Sequence, residues 1–531
     1  MTKEKNHILR LIRFVALSFI VMVVVLLSVN YFNWPGEVGS RRMLFFSSCL
    51  IAVAVLWAFA PTRTKRPSVW LPVLFVLVFL LSIPFILMGL AFGSNDVESI
   101  LILLQDNTLT DTLRFGSIGL LLSVAKFLLL MLLFLIVMTV LYFEIRFFGG
   151  VLLLLTGIAI FNHPVRIYLQ HVFFPSVDHI RIYTERNEYT LEIIERPQEK
   201  KNLVLIYLEG FEQNYLKSPV TSPYTEPLKE VLKNSIQFED VGQVQGTHFS
   251  VAGLTATQCG VPLKPSVAFD VRKGAVNMDQ GVYPNIVCLG DILADAGYDL
   301  SFFVGTGYND FSLGKLLETH SYTNLFGPDN ATPEEHDQMS IWGLQDRFVF
   351  QKAREKLIEA SKTGKPFLIA IETISTHGPD GLPDDGCFIE TELHSGMPAS
   401  LYCTSEYTRQ YLELISDLGL SDDTIVAVMS DHLAWKTLFT PALRNIAPRK
   451  NLFALINAGE PRKIDKPGVA FDIYPTILEA MGYGLKGHRG NMGVSLFSDK
   501  PSMASQYGLE ALSDGLTGNR ELADWLWRKE P

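Results

Sequence analysis

Five long apolar stretches crowd into the first 170 residues, and they constrain this chain more than any other feature. They run Phe14–Asn33, Met43–Ala60, Val69–Phe92, Ser117–Tyr142 and Phe148–Tyr168. A helix rising about 1.5 Å per residue needs about 20 residues to cross a bilayer core of about 30 Å. The second stretch is at the short end, and the fifth is interrupted by Asn162, His163 and Pro164. Core helices of water-soluble proteins rarely run this long with so little charge. The first stretch lacks a small-residue cleavage site and is followed by four more, so it reads as an anchor and not a signal peptide. The whole chain is only 19% charged, against about 25% for an average soluble chain. A net charge of −10 argues against a nucleic-acid partner, which calls for a basic footprint.

Orientation follows the Lys/Arg bias. With the N-terminus inside, the inner segments carry Lys3, Lys5, Arg10, Arg13, Arg63, Lys65, Arg66 and Arg146, while the outer loops carry Arg41, Arg42 and Arg114. The acid-rich loop 94–116 falls outside. Five spans then place the C-terminal part beyond the cytoplasm. Cys49 lies in a span; Cys259, Cys288, Cys387 and Cys403 all fall in the external part. An even number in an oxidising compartment predicts two disulfides. Of three connectivities, Cys259–Cys288 and Cys387–Cys403 are preferred because each closes a local loop.

Residues 1–170 thus form the predicted membrane domain, 171–200 a charged linker, 201–500 an external catalytic domain and 501–531 a polar tail. From about residue 200, apolar runs alternate with helical patterns, which predicts an α/β domain with a mainly parallel sheet. Expected strands are Leu203–Leu208, Leu300–Val304, Phe367–Ile371, Thr424–Ser430 and Leu452–Asn457. Expected helices are Ser250–Gln258, Leu289–Ala296, Ile341–Ala360, Glu406–Leu418 and Phe471–Met481.

Ligands bind beyond the carboxyl ends of strands in such sheets. Two polar clusters fall there. "NLVLIYLEG" ends in Glu209, and "TIVAVMSDH" ends in Asp431 and His432. Acids and an imidazole at buried strand ends are costly unless paired or metal-bound, and this donor set suits a divalent cation. In "QGTHFSVAGLTATQCG" a short helix is expected to start at Ser250. A hydroxyl there sits in the positive end of the helix dipole, where an attacking oxygen can meet a phosphate; an N-cap is the ordinary alternative.

With these pieces goes an ordered series over about residues 202–480: "NLVLIYLEGFEQNY", "GTHFSVAGLTATQCGVPL", "NIVCLGDILADAGY", "WGLQDRFVF", "STHGPDG", "SDHLAW", "RKNLFALI" and "DIYPTIL". The chain resembles the membrane-anchored family of phosphoglycerol transferase I and the lipoteichoic acid synthases, in the alkaline phosphatase/sulfatase superfamily. The resemblance implies that Glu209, Asp431 and His432, with the Ser250 oxygen, hold one divalent cation: Mn²⁺ or Mg²⁺, with Zn²⁺ as an alternative. Ser250 stands where the family has its nucleophilic Thr, with Thr247 as the fallback. His377 matches a histidine that contacts the substrate phosphate or protonates the leaving group, and Trp435, Asp346 and Arg347 are further candidates for the substrate pocket. The sulfatase branch is disfavoured, because its formylglycine arises in C/S-x-P-x-R and "CGVPL" has no such arginine. No GxSxG elbow or HExxH helix occurs either.

The function expected from the resemblance is transfer of phosphoglycerol from phosphatidylglycerol to a periplasmic or envelope glycan, through a phospho-serine-type intermediate, by a multi-pass protein of the bacterial inner membrane with its N-terminus cytoplasmic and its catalytic domain periplasmic. The rivals are a phosphoethanolamine transferase acting on lipopolysaccharide or glycan, a phosphodiesterase, and a non-catalytic five-span lipid sensor. Such a sensor loses the metal ligands; this chain retains them.

Overall fold

The computed structural model describes residues 67–527 except 92–96, 106–117, 146–147, 176–181, 183–188, 266–280, 309–311, 337, 341, 383, 385–386, 388–395 and 447. The first two apolar stretches lie outside the described residues. Contacts divide the chain into two units: 1–87 with 116–167, and 88–115 with 168–531.

The third and fourth stretches are helices, α1 (Trp70–Ala91) and α3 (Ile118–Glu144), mostly in the first unit; α2 (Val97–Gln105), between them in the chain, belongs to the second. The fifth stretch is broken: α4 (Phe148–Phe161) and α5 (Pro164–Phe173) meet at a bend of 50°. Pro164 explains the break, since it has no N–H to continue the ladder and opens the next helix. Phe75, Leu135, Leu141, Phe148 and Leu152 pack together, yet Leu81, Leu132, Leu153 and Leu154 on the same helices stay exposed. Helices apolar on every side suit lipid tails on the outside as well as a packed seam inside. Among the described residues, no single helix is both long and apolar enough to cross a membrane; the bent pair passes together.

The second unit is built on an eight-stranded sheet. Its strands are β1 (Asn202–Leu208), β2 (Ser235–Phe238), β3 (Asp299–Val304), β4 (Asn324–Phe326), β5 (Phe367–Glu372), β6 (Thr424–Ser430), β7 (Phe453–Ile456) and β8 (Arg462–Ile464), in the order β8-β2-β7-β6-β1-β5-β3-β4. All five expected strands are present. The sheet is mixed, not purely parallel: β7 runs antiparallel to both β6 and β2, and the other neighbours are parallel. β1 sits at the centre, and its residues from Leu203 to Leu208 are fully buried. Each such side chain contributes about 1.5–3 kcal/mol, which is why the run reads as continuously apolar and not alternating.

Helices flank both faces. Those that matter for the site are α6 (Ser250–Cys259), α7 (Leu289–Asp295), α8 (Asp346–Ala360), α9 (Gly396–Asp417) and α10 (Ala470–Ala480). Two differ from the sequence expectation. Helix α8 starts at Asp346 and not at 341, because Gly343 adopts φ +139°, and a Cβ there would stand 2.1 Å from the Gly305 carbonyl oxygen. Helix α9 begins ten residues before Glu406. Its first half looks polar, but those hydroxyls are satisfied inside: Ser400 donates to the Gly396 carbonyl, Ser405 to that of Leu401 and Thr404 to the Asp346 carboxylate. The tail is also structured. Helices α11 (Met503–Tyr507), α12 (Leu509–Leu516) and α13 (Arg520–Trp527) bury Leu512, Leu516, Leu522, Leu526 and Trp527 in the main core.

Candidate functional site

Three adjacent central strands deliver the site. Leu208 and Ser430 are paired in register on β1 and β6, so the next residues, Glu209 and Asp431, leave the sheet side by side. The loop after β5, on the other side of β1, carries His377. Strand pairing alone brings together residues more than 200 positions apart in the chain.

Helix α6 supplies the fourth part. Phe249 is extended and the helix starts at Ser250, whose Oγ donates to Glu209 Oε2 at 3.1 Å. Gly253, one turn on, makes this approach workable: a Cβ there would lie 1.9 Å from the Asp431 carbonyl oxygen. The far end of α6 is fastened by the Cys259–Cys288 disulfide, which reaches the start of α7; the second bond joins Cys387 to Cys403. Both are the preferred pairings. Since Cys259 is bonded, its thiol is not available for conversion to formylglycine.

Glu209, Asp431 and His432 are all buried, and their ligating atoms lie within 4.8 Å of one another. Asp431 Oδ1 accepts from the Gly210 and His432 amides at 2.8 and 2.7 Å, which aims Oδ2 inward. His432 Nδ1 donates to the Leu433 carbonyl at 2.8 Å, which turns Nε2 towards Asp431 Oδ2 at 3.3 Å and Glu209 Oε1 at 3.5 Å. Asp431 Oδ2 and His432 Nε2 are buried without a hydrogen-bond partner. Burial, reinforced by the Asp431 charge, raises Glu209 well above the ordinary carboxylate range. Two carboxyls and an imidazole converging, with Asp431 Oδ2 and His432 Nε2 outside any hydrogen bond, fit a hard or borderline dication, which would relieve both the desolvation and the repulsion.

His377 is 6% exposed. Its Nδ1–H donates to the Gly378 carbonyl at 2.8 Å, and burial pulls its pKa down from 6.5 to about 4. It is sandwiched. Trp342 lies against one face with ring centroids 4.0 Å apart, and Trp435 meets it edge-on at 5.0 Å. Trp435 also stacks on His432 at 5.1 Å, which links the histidine loop to the carboxylate cluster.

Other expected residues lie elsewhere. Asp346 is fully buried, and its carboxylate accepts from the Ile374 and Ser375 amides (2.8 and 3.0 Å) and from Thr404 Oγ1 (2.7 Å). It lies beneath the His377 loop and presents nothing to a ligand. Arg347 turns to Asp384 at 3.3 Å and to Gln338. Thr247 spends its hydroxyl on Val244, donating to the carbonyl at 2.8 Å and accepting from the amide at 3.1 Å. Sequence reasoning misses two residues at the site. Trp342 stands in "WGLQD", close to Asp346 and Arg347. Glu372 ends β5 one place past the expected strand; it is buried with an unpaired Oε2, and burial followed by the Asp431 charge raises it well above the carboxylate range.

The fold and this geometry agree with what the chain resembles. A family model described as Sulfatase matches residues 201–483, and the chain belongs to that family. Among curated proteins it is similar to phosphoglycerol transferase I of Escherichia coli, at 30% identity over 279 residues, 50% of this chain and 35% of that protein. The counterpart from Salmonella choleraesuis is 29% identical over the same length and shares. The match thus spans about a third of these relatives' length. Among solved structures, the lipoteichoic acid synthase LtaP from Listeria monocytogenes aligns with a TM-score of 0.49 at 14% identity, over 66% of this chain and 99% of that one. An alkaline phosphatase superfamily protein from Vibrio parahaemolyticus gives 0.48 at 21%, over 62% and 81%.

Proposed function

We propose that this chain is a metal-dependent transferase that moves a phosphoglycerol group from phosphatidylglycerol to a periplasmic or envelope glycan. The observation that supports it most is the hydrogen bond from Ser250 Oγ to Glu209 Oε2, beside the orphaned Asp431 Oδ2 and His432 Nε2. The curated relatives' name favours the phosphoglycerol group. Glu209, Asp431, His432 and the Ser250 oxygen would hold Mn²⁺ or Mg²⁺, which supplies Lewis-acid charge to the phosphate and lowers the pKa of the attacking hydroxyl.

Ser250 Oγ forms a bond to phosphorus as the bond to the diacylglycerol oxygen breaks, and the proton given up by the serine leaves with diacylglycerol. The phosphoglyceryl group stays on Ser250. The N-terminal amides of α6 face the phosphate oxygens and stabilise the charge that develops there. An acceptor hydroxyl then attacks the same phosphorus and restores the serine. His377, neutral at pH 7, takes that hydroxyl proton on its Nε2 lone pair, and a proton returns to Ser250 Oγ as its bond to phosphorus breaks. Trp342 and Trp435 hold the imidazole flat and exclude water. The apolar helices of residues 1–170 would keep the site at a membrane surface where the lipid head group lies, with the domain on the outer side of a bacterial inner membrane.

The test is an incubation of purified chain and Mn²⁺ with labelled phosphatidylglycerol or phosphatidylethanolamine and candidate glucans. Label moving from phosphatidylglycerol to glycan is the expected result. Movement from phosphatidylethanolamine instead reassigns the head group, release of glycerol phosphate to water makes the chain a phosphodiesterase, and no turnover with no Mn²⁺ binding favours a lipid sensor.

A further inference from the structure

Away from the reacting groups, a buried ion pair joins α2 to the segment that follows α6, and the same carboxylate reaches the loop that leads into Ser250. Glu98 and Lys264 are 3% and 1% exposed. Lys264 Nζ lies 2.6 Å from both Glu98 oxygens and also donates to the Leu516 carbonyl. The Glu98 carboxylate accepts further from the Gly518 amide at 2.9 Å and from Gln245 Nε2 at 3.1 Å. One residue on, Ser99 Oγ meets His248 Nε2 at 2.8 Å, and Trp435 Nε1 donates to the His248 carbonyl at 3.3 Å. Ile102, a turn further along α2, is 3% exposed and part of the main core.

Gln245 and His248 bracket the Gly246–Thr247 turn, two residues before the helix that starts with Ser250. That turn is thin: Gly246 has φ +80°, and a Cβ there would lie 2.8 Å from the Leu263 carbonyl oxygen. A buried charged pair is a poor choice for stability alone, because well-packed apolar residues of the same volume do as well or better. What it provides is a single permitted arrangement, since any other leaves a charge buried and unpaired.

We propose that α2 is a positioning element of the active site. Glu98 and Ser99 clamp the 243–249 loop and thereby set where Ser250 Oγ stands. The role rests on the reading of Ser250 as nucleophile, and neither residue touches substrate. The stretch between two apolar segments thus has a part in catalysis, because the same piece of chain that joins α1 to α3 fixes the nucleophile.

Two variants of the full chain test this, read by hydrogen exchange and by steady-state kinetics. Ser99→Ala removes one partner of His248 and no charge. Glu98→Leu with Lys264→Met removes the pair without leaving an unpaired charge, but it also takes the partners of the Gly518 amide, Gln245 Nε2 and the Leu516 carbonyl, so its thermal stability is measured alongside and Ser99→Ala is the variant that decides. In both, the amides of 243–249 are expected to exchange faster, and kcat to fall about ten- to a hundredfold with KM unchanged. Unaltered exchange in 243–249, or a wild-type kcat in Ser99→Ala, overturns the proposal. A wild-type chain without turnover is instead a failure of the transferase reading, and the exchange measurement still reports the clamp.

Discussion

Ser250, Glu209, Asp431 and His432 are far apart in the chain and adjacent in space, and each could be named from the sequence because it follows an apolar strand or opens a helix. Polar groups at the end of a buried strand are expensive, so their presence carries information. Asp346, a candidate through the resemblance alone, stands at the start of a helix and not at a strand end. A carboxylate in a motif reads the same whether it faces a ligand or the backbone amides of the next loop, and only the fold shows that Ile374 and Ser375 have claimed it. Trp342 escapes notice for the opposite reason: an aromatic residue carries no charge to mark it, and its partner His377 is 35 positions away. His377 makes a stability prediction. Its folded pKa of about 4 lies below the ordinary 6.5, so below pH 6.5 the unfolded chain binds more protons than the folded one. The neutral imidazole therefore costs nothing above pH 6.5, and stability declines as pH falls from 6.5 towards 4, by up to about 3 kcal/mol. Denaturant titrations of the metal-free chain across that window should show the decline, and His377→Gln should flatten that part of the profile. An equal slope in both proteins would contradict the assignment.

Helix α6 shows what an element contributes beyond its residues. Its N-terminus must meet the end of β6 almost in backbone contact, which only Gly253 allows, and its C-terminus is fixed by Cys259–Cys288. Gly253→Ala should push the helix away from Asp431, at a cost of about 1–3 kcal/mol and a fall in kcat of about a hundredfold. Thermal unfolding and turnover check this, and a variant with native activity would mean that the helix tolerates the shift. Elements were legible where a period was clear. β1, β5 and β6 are buried on both faces and read as unbroken apolar runs. The first half of α9 was not legible, since its serines and threonines donate to backbone carbonyls one turn back and to the buried Asp346; nor was β8, which is mostly charged and exposed at the edge of the sheet. The antiparallel course of β7 leaves no mark in composition, because pairing direction is set by the connections.

At the scale of the whole molecule, apolar helices and an α/β domain share one chain, and the division between them is not a single cut. Residues 88–115 join the second unit, although in sequence they read as the end of the third apolar stretch and most of the outer loop 94–116, since a short helix between two apolar stretches gives no hint of what it packs on. The proposed topology places the C-terminus outside the cytoplasm. A periplasm-dependent phosphatase reporter fused after Pro531 should be active and a fluorescent protein fused there dark; the reverse pattern would turn the domain to the inside and remove it from its acceptor. The central claim is that Ser250 carries the transferred group between donor and acceptor. The most direct test is to mix the full chain with Mn²⁺ and phosphatidylglycerol in the absence of acceptor, quench in acid, and map the protein by mass spectrometry. The account predicts a phosphoglyceryl adduct on the peptide containing Ser250, absent from Ser250→Ala and discharged when glycan is added. Full turnover by Ser250→Ala, or an adduct on another residue, would contradict it.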